Sequence, residues 1–173
     1  MCRIDGEVMS AFLIISAIQG AAILFDEFFF HRKRGLPKWE VISHPIDTIS
    51  VIACLLFLVF TERTPTTEAI YYVMATLSCI SVTKDEWVHR KFCSAEEMWL
   101  HAVLFMMHPL ALFVAMYEWE DSRPAFLAVS GGIFVFLVYQ IVYWGFLAER
   151  VRKARVEASY RKVQQENEGP APT

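Results

Sequence analysis

The sequence predicts an all-α fold, a polytopic membrane helix bundle of about five transmembrane helices, four of them forming a bundle lined by histidines and carboxylates. Three observations predict it. Hydrophobic residues make up 55% of the 173 and come in long runs rather than at amphipathic spacing; a spanning helix needs about 20 such residues. Short polar connections separate the runs. The basic residues are also lopsided. With five spans, the 32–43 loop, Lys84, the 90–94 loop and the segment after residue 148 share one side and hold 13 of the 16 Lys+Arg, leaving Arg3, Arg63 and Arg123 opposite. The chain is expected in the cell (inner) membrane, and the positive-inside rule then places its N-terminus outside and its C-terminus in the cytoplasm.

The first helix is expected from Val8 to about His31. Asp5 and Glu7 beside a single Arg3, and the lack of a small-x-small site, argue for a retained helix rather than a signal peptide. The second is expected from about His44-Pro45 to Thr61, with Pro45 in the first turn, where its missing N–H costs nothing. The third, from about Glu68 to His89, is the least apolar. The fourth runs from Ala95 to Tyr117, where Ser94 and Glu97 read as a capping box. The fifth runs from Pro124 to Ala148. Residues 1–148 are thus the membrane bundle and 149–173 a charged cytoplasmic tail, helical at first and then Pro/Gly-containing. Its Arg150-x-Arg152-Lys153-x-Arg155 run reads as an anchor to anionic lipid. Cys2, Cys54, Cys79 and Cys93 are scattered without a CxxC pair and read as small apolar residues.

A faint internal repeat is visible. Asp26-Glu27-x3-His31-Arg-Lys recurs as Asp85-Glu86-x2-His89-Arg-Lys, and each is followed by a Glu-x3-His pair, Glu40/His44 and Glu97/His101. Two hairpins of like orientation would follow, related by an axis along the membrane normal.

These residues carry the chemical reading. In an up-down bundle the inner ends of the first four helices fall in one layer. Residues three or four apart share a helical face, so Glu27/His31, His44/Asp47, Asp85/His89, Glu86/His89 and Glu97/His101 can aim carboxylates and imidazoles at a common axis. These ligand types suit iron, manganese or zinc. Carboxylates near a bilayer interior need pairing or a metal, and two ions match four or more carboxylates better than one. The competing readings are a salt-bridged rim, with Arg32, Lys33, Arg34, Arg90 and Lys91 pairing the acids, and haem held by histidines.

His108 shares the face of Glu97 and His101 but lies about 10 Å deeper at 1.5 Å per residue. It reads as an outer ligand, a relay, a substrate contact or a haem ligand, with a structural histidine bonded to the next helix as the plain alternative. Tyr139, Gln140, Tyr143 and Trp144 on the fifth helix can line a pocket or form an interfacial belt.

In ligand type and architecture this pattern resembles the carboxylate/histidine di-iron four-helix bundles, the ferritin-like proteins and membrane-bound alternative oxidases, in which facing helices supply Glu and Glu-x-x-His ligands. Only Glu86-Trp-Val-His89 fits Glu-x-x-His here. The resemblance covers helix ends between residues 26 and 108. It implies an oxidoreductase with two divalent ions, iron first, acting on an apolar or lipid-like substrate reached from the bilayer, with a redox partner and no nucleic acid. The metal ligands would be Glu27, His31, His44, Asp47, Asp85, Glu86, His89, Glu97 and His101, with His108 and Tyr143 as catalytic candidates. A zinc-dependent membrane hydrolase, a haem-binding protein, and a metal or proton transporter are the alternatives.

Overall fold

Each helix boundary follows from local chemistry. The computed structural model describes residues 10–168, and no strand occurs among them. Helix α1, Ala11–Arg34, starts where Ser10 accepts from the Leu13 N–H and stops at Gly35, whose φ of 77° ends the helix. Within α1, Asp26–His31 is a π-helical turn. Helix α2, Lys38–Phe60, follows Pro37. Helix α3, Pro65–Val82, has Pro65 in its first turn and a reciprocal capping box between Thr64 and Thr67. A 3-10 turn, Thr83–Asp85, leads into the short α4, Glu86–Phe92. Helix α5, Ala95–Tyr117, is capped by Ser94. Helix α6, Arg123–Leu147, turns π-helical over Gln140–Leu147, and α7 is Glu149–Glu168.

Three boundary expectations need correction. Helix α2 begins six residues before His44, so Pro45 lies inside it and Glu40 joins its first turn. Ser94 caps α5, but the Glu97 carboxylate goes to Arg34 instead of completing a capping box. The expected third span breaks at Thr83–Asp85, leaving α3 with 18 residues. At 1.5 Å per residue that is about 27 Å, short of a hydrocarbon core about 30 Å thick. Among the described residues, four helices, α1, α2, α5 and α6, are long and apolar enough to cross a membrane. The expected start at Val8 lies outside the described residues, as does Cys2.

Helix α1 packs on α5, α5 on α3, α3 on α2, and α2 on α6. Helices α1 and α6 meet near their ends, through Phe12 on Phe126 (ring centroids 4.8 Å apart) and Phe28 on Tyr139 (5.6 Å). Phe12, Leu55, Leu58, Tyr71, Leu112 and Trp119 fill the core at the first of these ends. Outward, Val73, Leu77, Phe113, Phe134 and Val135 are exposed. Apolar surface spread over several helices in this way matches lipid better than water.

Helix α7 is not a free tail. Arg152 is buried and donates to the Leu36 carbonyl at 2.8 Å, Ser159 donates to the Arg34 carbonyl, and Arg155 to the Arg32 carbonyl. Two of the three arginines expected to contact anionic lipid, Arg152 and Arg155, are thus spent on the α1–α2 connection. The fit is close at Gly35, where a Cβ would lie 2.8 Å from the Arg152 carbonyl oxygen on a backbone with positive φ. Gly35→Ala therefore loses about 1–3 kcal/mol, read as a lowered Tm in detergent. Gly20→Ala, in open space on α1, is expected to hold or raise Tm.

A candidate metal centre at the helix ends

The π turn in α1 assembles the first part of the site. In an α-helix residues five apart point about 140° apart. In a π turn the i→i+5 hydrogen bond brings them together. Asp26 and His31 are such a pair, and Nε2 of His31 lies 3.0 Å from Oδ2 of Asp26. On its other side Nδ1 of His31 lies 3.1 Å from Oε2 of Glu27. From α5, His101 Nε2 reaches the same Asp26 oxygen at 3.1 Å, and Glu97 Oε1 stands 3.9 Å from His31 Nε2. Asp26, Glu27, His31, Glu97 and His101 are all buried.

The π stretch of α6 repeats the device. Tyr139 and Trp144, again five apart, both donate to Oε1 of Glu27. Period-3.6 reasoning pairs Tyr139 with Tyr143 and Gln140 with Trp144, and so misses this. Tyr143 instead stacks on Tyr139 with the Arg32 guanidinium over its ring, away from the carboxylates.

A second set of groups lies alongside. His89 Nε2 is 3.9 Å from Glu40 Oε1, and the His89 and His101 rings are 4.1 Å apart. His44 Nε2 is 3.7 Å from Asp85 Oδ2, and that carboxylate accepts from Trp39 and Ser43. Burial foremost, then the neighbouring His101 and Arg34, push His89 down to about 3. That favours the neutral imidazole, which offers one ring-nitrogen lone pair.

Two expected ligands lie apart. Asp47 is ion-paired to Lys84 at 2.6 Å and accepts from Ser81. The Glu86 side chain is 43% exposed at the rim and no nearer than 3.9 Å to His89. The one Glu-x-x-His match in the sequence is thus not where the carboxylates converge. Of the five basic residues considered as partners for the acids, Arg34 is the one that enters the layer. It bonds Glu97 at 2.6 Å and Glu40 at 2.8 Å, so the two repeat-related glutamates share one guanidinium. The repeat does not extend to the helix type, which is π at Asp26–His31 and 3-10 followed by α at Thr83–Phe92.

Several features point to a metal. Six carboxylates (Asp26, Glu27, Glu40, Asp47, Asp85, Glu97) face the two cations Arg34 and Lys84, an excess of four negative charges. Two divalent ions would balance that charge, and so would protonated imidazoles. Buried Asp26 Oδ1, Glu40 Oε1, His31 Nε2, His101 Nδ1 and both ring nitrogens of His89 lack a hydrogen-bond partner. Such atoms are costly to leave unpaired. His31 Nε2 is close to Asp26 yet not aligned to bond it. Two ligands on one ion with bonds of about 2.1 Å would sit about 3.0–3.4 Å apart without pointing at each other.

Among the described residues, three donor sets have atoms within 4.8 Å of one another: Asp26/His31/Glu97/His101, His31/Glu40/His44 and His89/Cys93/His101. Asp26, Glu40 and Cys93 were not among the expected ligands. Asp26 needed the π turn, Glu40 an earlier start to α2, and Cys93 carries no signal in its spacing.

Below the layer is a cavity of about 490 Å³, reaching from Asp26, His44 and His101 to Phe12, Leu55 and Leu112. His108 lines it midway and bonds Ser78 at 3.0 Å, which bonds Ser50 at 2.7 Å. It is a histidine tied to the neighbouring helix, with its ring at the cavity wall.

No protein family, characterised protein or solved structure matches this chain.

Arg34→Met leaves Glu40 and Glu97 buried without their counter-charge. Loss of one partner of a buried pair costs about 3–5 kcal/mol, which thermal unfolding in detergent will register. Arg34→Met combined with Glu40→Gln and Glu97→Gln is expected to recover much of the loss.

Proposed function

We propose that the chain is a membrane-embedded metalloprotein whose layer of carboxylates and imidazoles holds two divalent ions, iron first, and that it acts as an oxidoreductase on a lipid-soluble substrate. The observation that carries this reading is the convergence of buried, unpartnered ligand atoms from α1, α2, α4 and α5 on an excess of negative charge. Asp26, His31, Glu97 and His101 would hold one ion. Glu40, His44, Asp85 and His89 are the donors for a second. A pair of such ions supplies redox chemistry toward dioxygen or an apolar substrate, and electrons would come from a partner protein.

The chain's own groups have definite parts. Tyr139 and Trp144 orient Glu27, and Glu27 in turn holds the His31 ring by its Nδ1. Partners of this kind fix the tautomer and direction of a ligating imidazole. His108 faces the cavity and can hold or pass a proton at its wall. Placing the layer on the cytoplasmic side rests on the basic loops around it.

A second reading is favoured by Cys93. Its grouping with His89 and His101 is a donor set suited to zinc, and a zinc hydrolase would use metal-bound water with a nearby carboxylate as base. Haem is disfavoured by geometry. The His89 and His101 rings are in contact, and one Asp26 oxygen lies within 3.1 Å of both His31 and His101, leaving no gap for a macrocycle.

Metal analysis of the purified protein decides. About two irons per chain are expected, lost in Asp26→Ala and His101→Ala and kept in Asp47→Asn and Glu86→Gln. Well-folded protein free of metal, even after reconstitution with iron, overturns the reading; zinc with loss in Cys93→Ala selects the second. Tyr139→Phe is expected to weaken metal binding by about 10–100-fold, whereas Tyr143→Phe leaves it unchanged in the same titration.

A further inference from the structure

The cavity runs away from the ligand layer into the apolar part of the bundle. On α5 it extends from His101 to Leu112, about 16 Å along the helix. Its volume of about 490 Å³ is within the range of small-molecule sites. Phe12 and Phe126 close it at the far end. At the layer end α7 is bonded across the Arg32–Leu36 carbonyls. Neither end is the way in.

The side wall is different. Helices α1 and α6 touch at Phe12–Phe126 and again at Phe28–Tyr139 and Glu27–Tyr139. Between these contacts Gly20 of α1 and Gly132 of α6 line the cavity, and a Cβ on either would meet nothing within 4 Å. Two residues without side chains thus leave a window on the lipid-facing side. The window also selects. Among the described residues lining the cavity there is no lysine or arginine, so an anionic head has no side-chain counter-charge there. The polar groups at that end are the layer's own carboxylates and imidazoles, whose acids repel an anionic head, and neutral groups such as Thr48, which donates to Gln140 at 2.9 Å.

We infer that the window between α1 and α6 at Gly20 and Gly132 admits a single-chain amphiphile with a small, uncharged, oxygen-bearing head from the bilayer. Its head lies at the ligand layer and its chain runs along the cavity toward Phe12. Lipid heads of the leaflet nearer the layer stand closest to that depth, so the chain enters in the direction it already points. This rests on the metal reading only for what happens at the head; the window and cavity stand without it.

The test uses the full-length protein in lipid nanodiscs and an alkyne-tagged, diazirine-bearing long-chain fatty alcohol. After photolysis, mass spectrometry locates the label and metal is measured on the same samples. Label is expected on cavity residues such as Ile23, Leu104 and Val129. It should fall at least tenfold in Gly132→Phe and in Gly20→Phe, and stay unchanged in Gly131→Phe, at a glycine that is equally unobstructed but does not line the cavity. A diazirine phospholipid with two chains should label the outer faces alone. Cavity labelling that persists in whichever of the two glycine variants folds, or label confined to outer residues such as Val73 and Leu77, overturns the inference. Equal cavity labelling by the phospholipid overturns the head selectivity. Blocked labelling in metal-free protein would sink the metal reading and leave the window; metal with unblocked labelling would do the reverse.

Discussion

The arrangement depends on one electrostatic constraint: more carboxylates gather at the helix ends than Arg34 and Lys84 can balance. Arg34 meets that constraint in part. It stands between Glu40 and Glu97 and so joins the start of α2 to the start of α5. A buried carboxylate without a partner is expensive, and this shared guanidinium holds two helices at a fixed separation. The remaining charge collects around Asp26, Glu27 and Asp85, where imidazoles from α1, α2, α4 and α5 crowd in. Such a layer can be stable with protons or with metal ions. The unpartnered ring nitrogens of His89 and the unaligned contact of His31 with Asp26 favour ions, because ligands converge on a common point whereas hydrogen-bonded pairs point at each other.

The backbone adapts to the site. Two of the long apolar helices widen into π turns at the layer's depth, in α1 at Asp26–His31 and in α6 at Gln140–Leu147. Both bring residues five apart onto one target. In α1 the turn brings His31 against one oxygen of Asp26, which His101 of α5 also approaches; in α6 Tyr139 and Trp144 cap one oxygen of Glu27. π turns give up regular α-hydrogen bonding and are frequent at functional sites. Their occurrence on facing helices, joined through Glu27, links the wall of the cavity to the orientation of His31.

The rest of the molecule surrounds this layer. Helix α7 covers it by taking up the carbonyls at the end of α1, and the close approach at Gly35 shows how tightly. The aromatic core around Phe12, Trp119 and Phe126 closes the other end. What lies between is apolar space bordered by His108, with access from the side.

Much of this was legible in the sequence. Long apolar runs, short polar turns and the distribution of Lys and Arg identify a helical chain with membrane-length spans, because length and hydropathy are properties of segments taken singly. The gathering of His31, His44, Asp85, His89, Glu97 and His101 at one level also follows from counting along antiparallel helices. Only the tertiary structure decided which of these converge. Asp26 entered through a π turn, Glu40 through an earlier helix start, and Cys93 through the approach of α4 to α5, while Asp47 was drawn off by Lys84 and Glu86 was left at the rim. The α-helical period fixes angles only while the helix stays α-helical. Which cation meets which acid depends on distances between helices, and a one-dimensional sequence does not carry those.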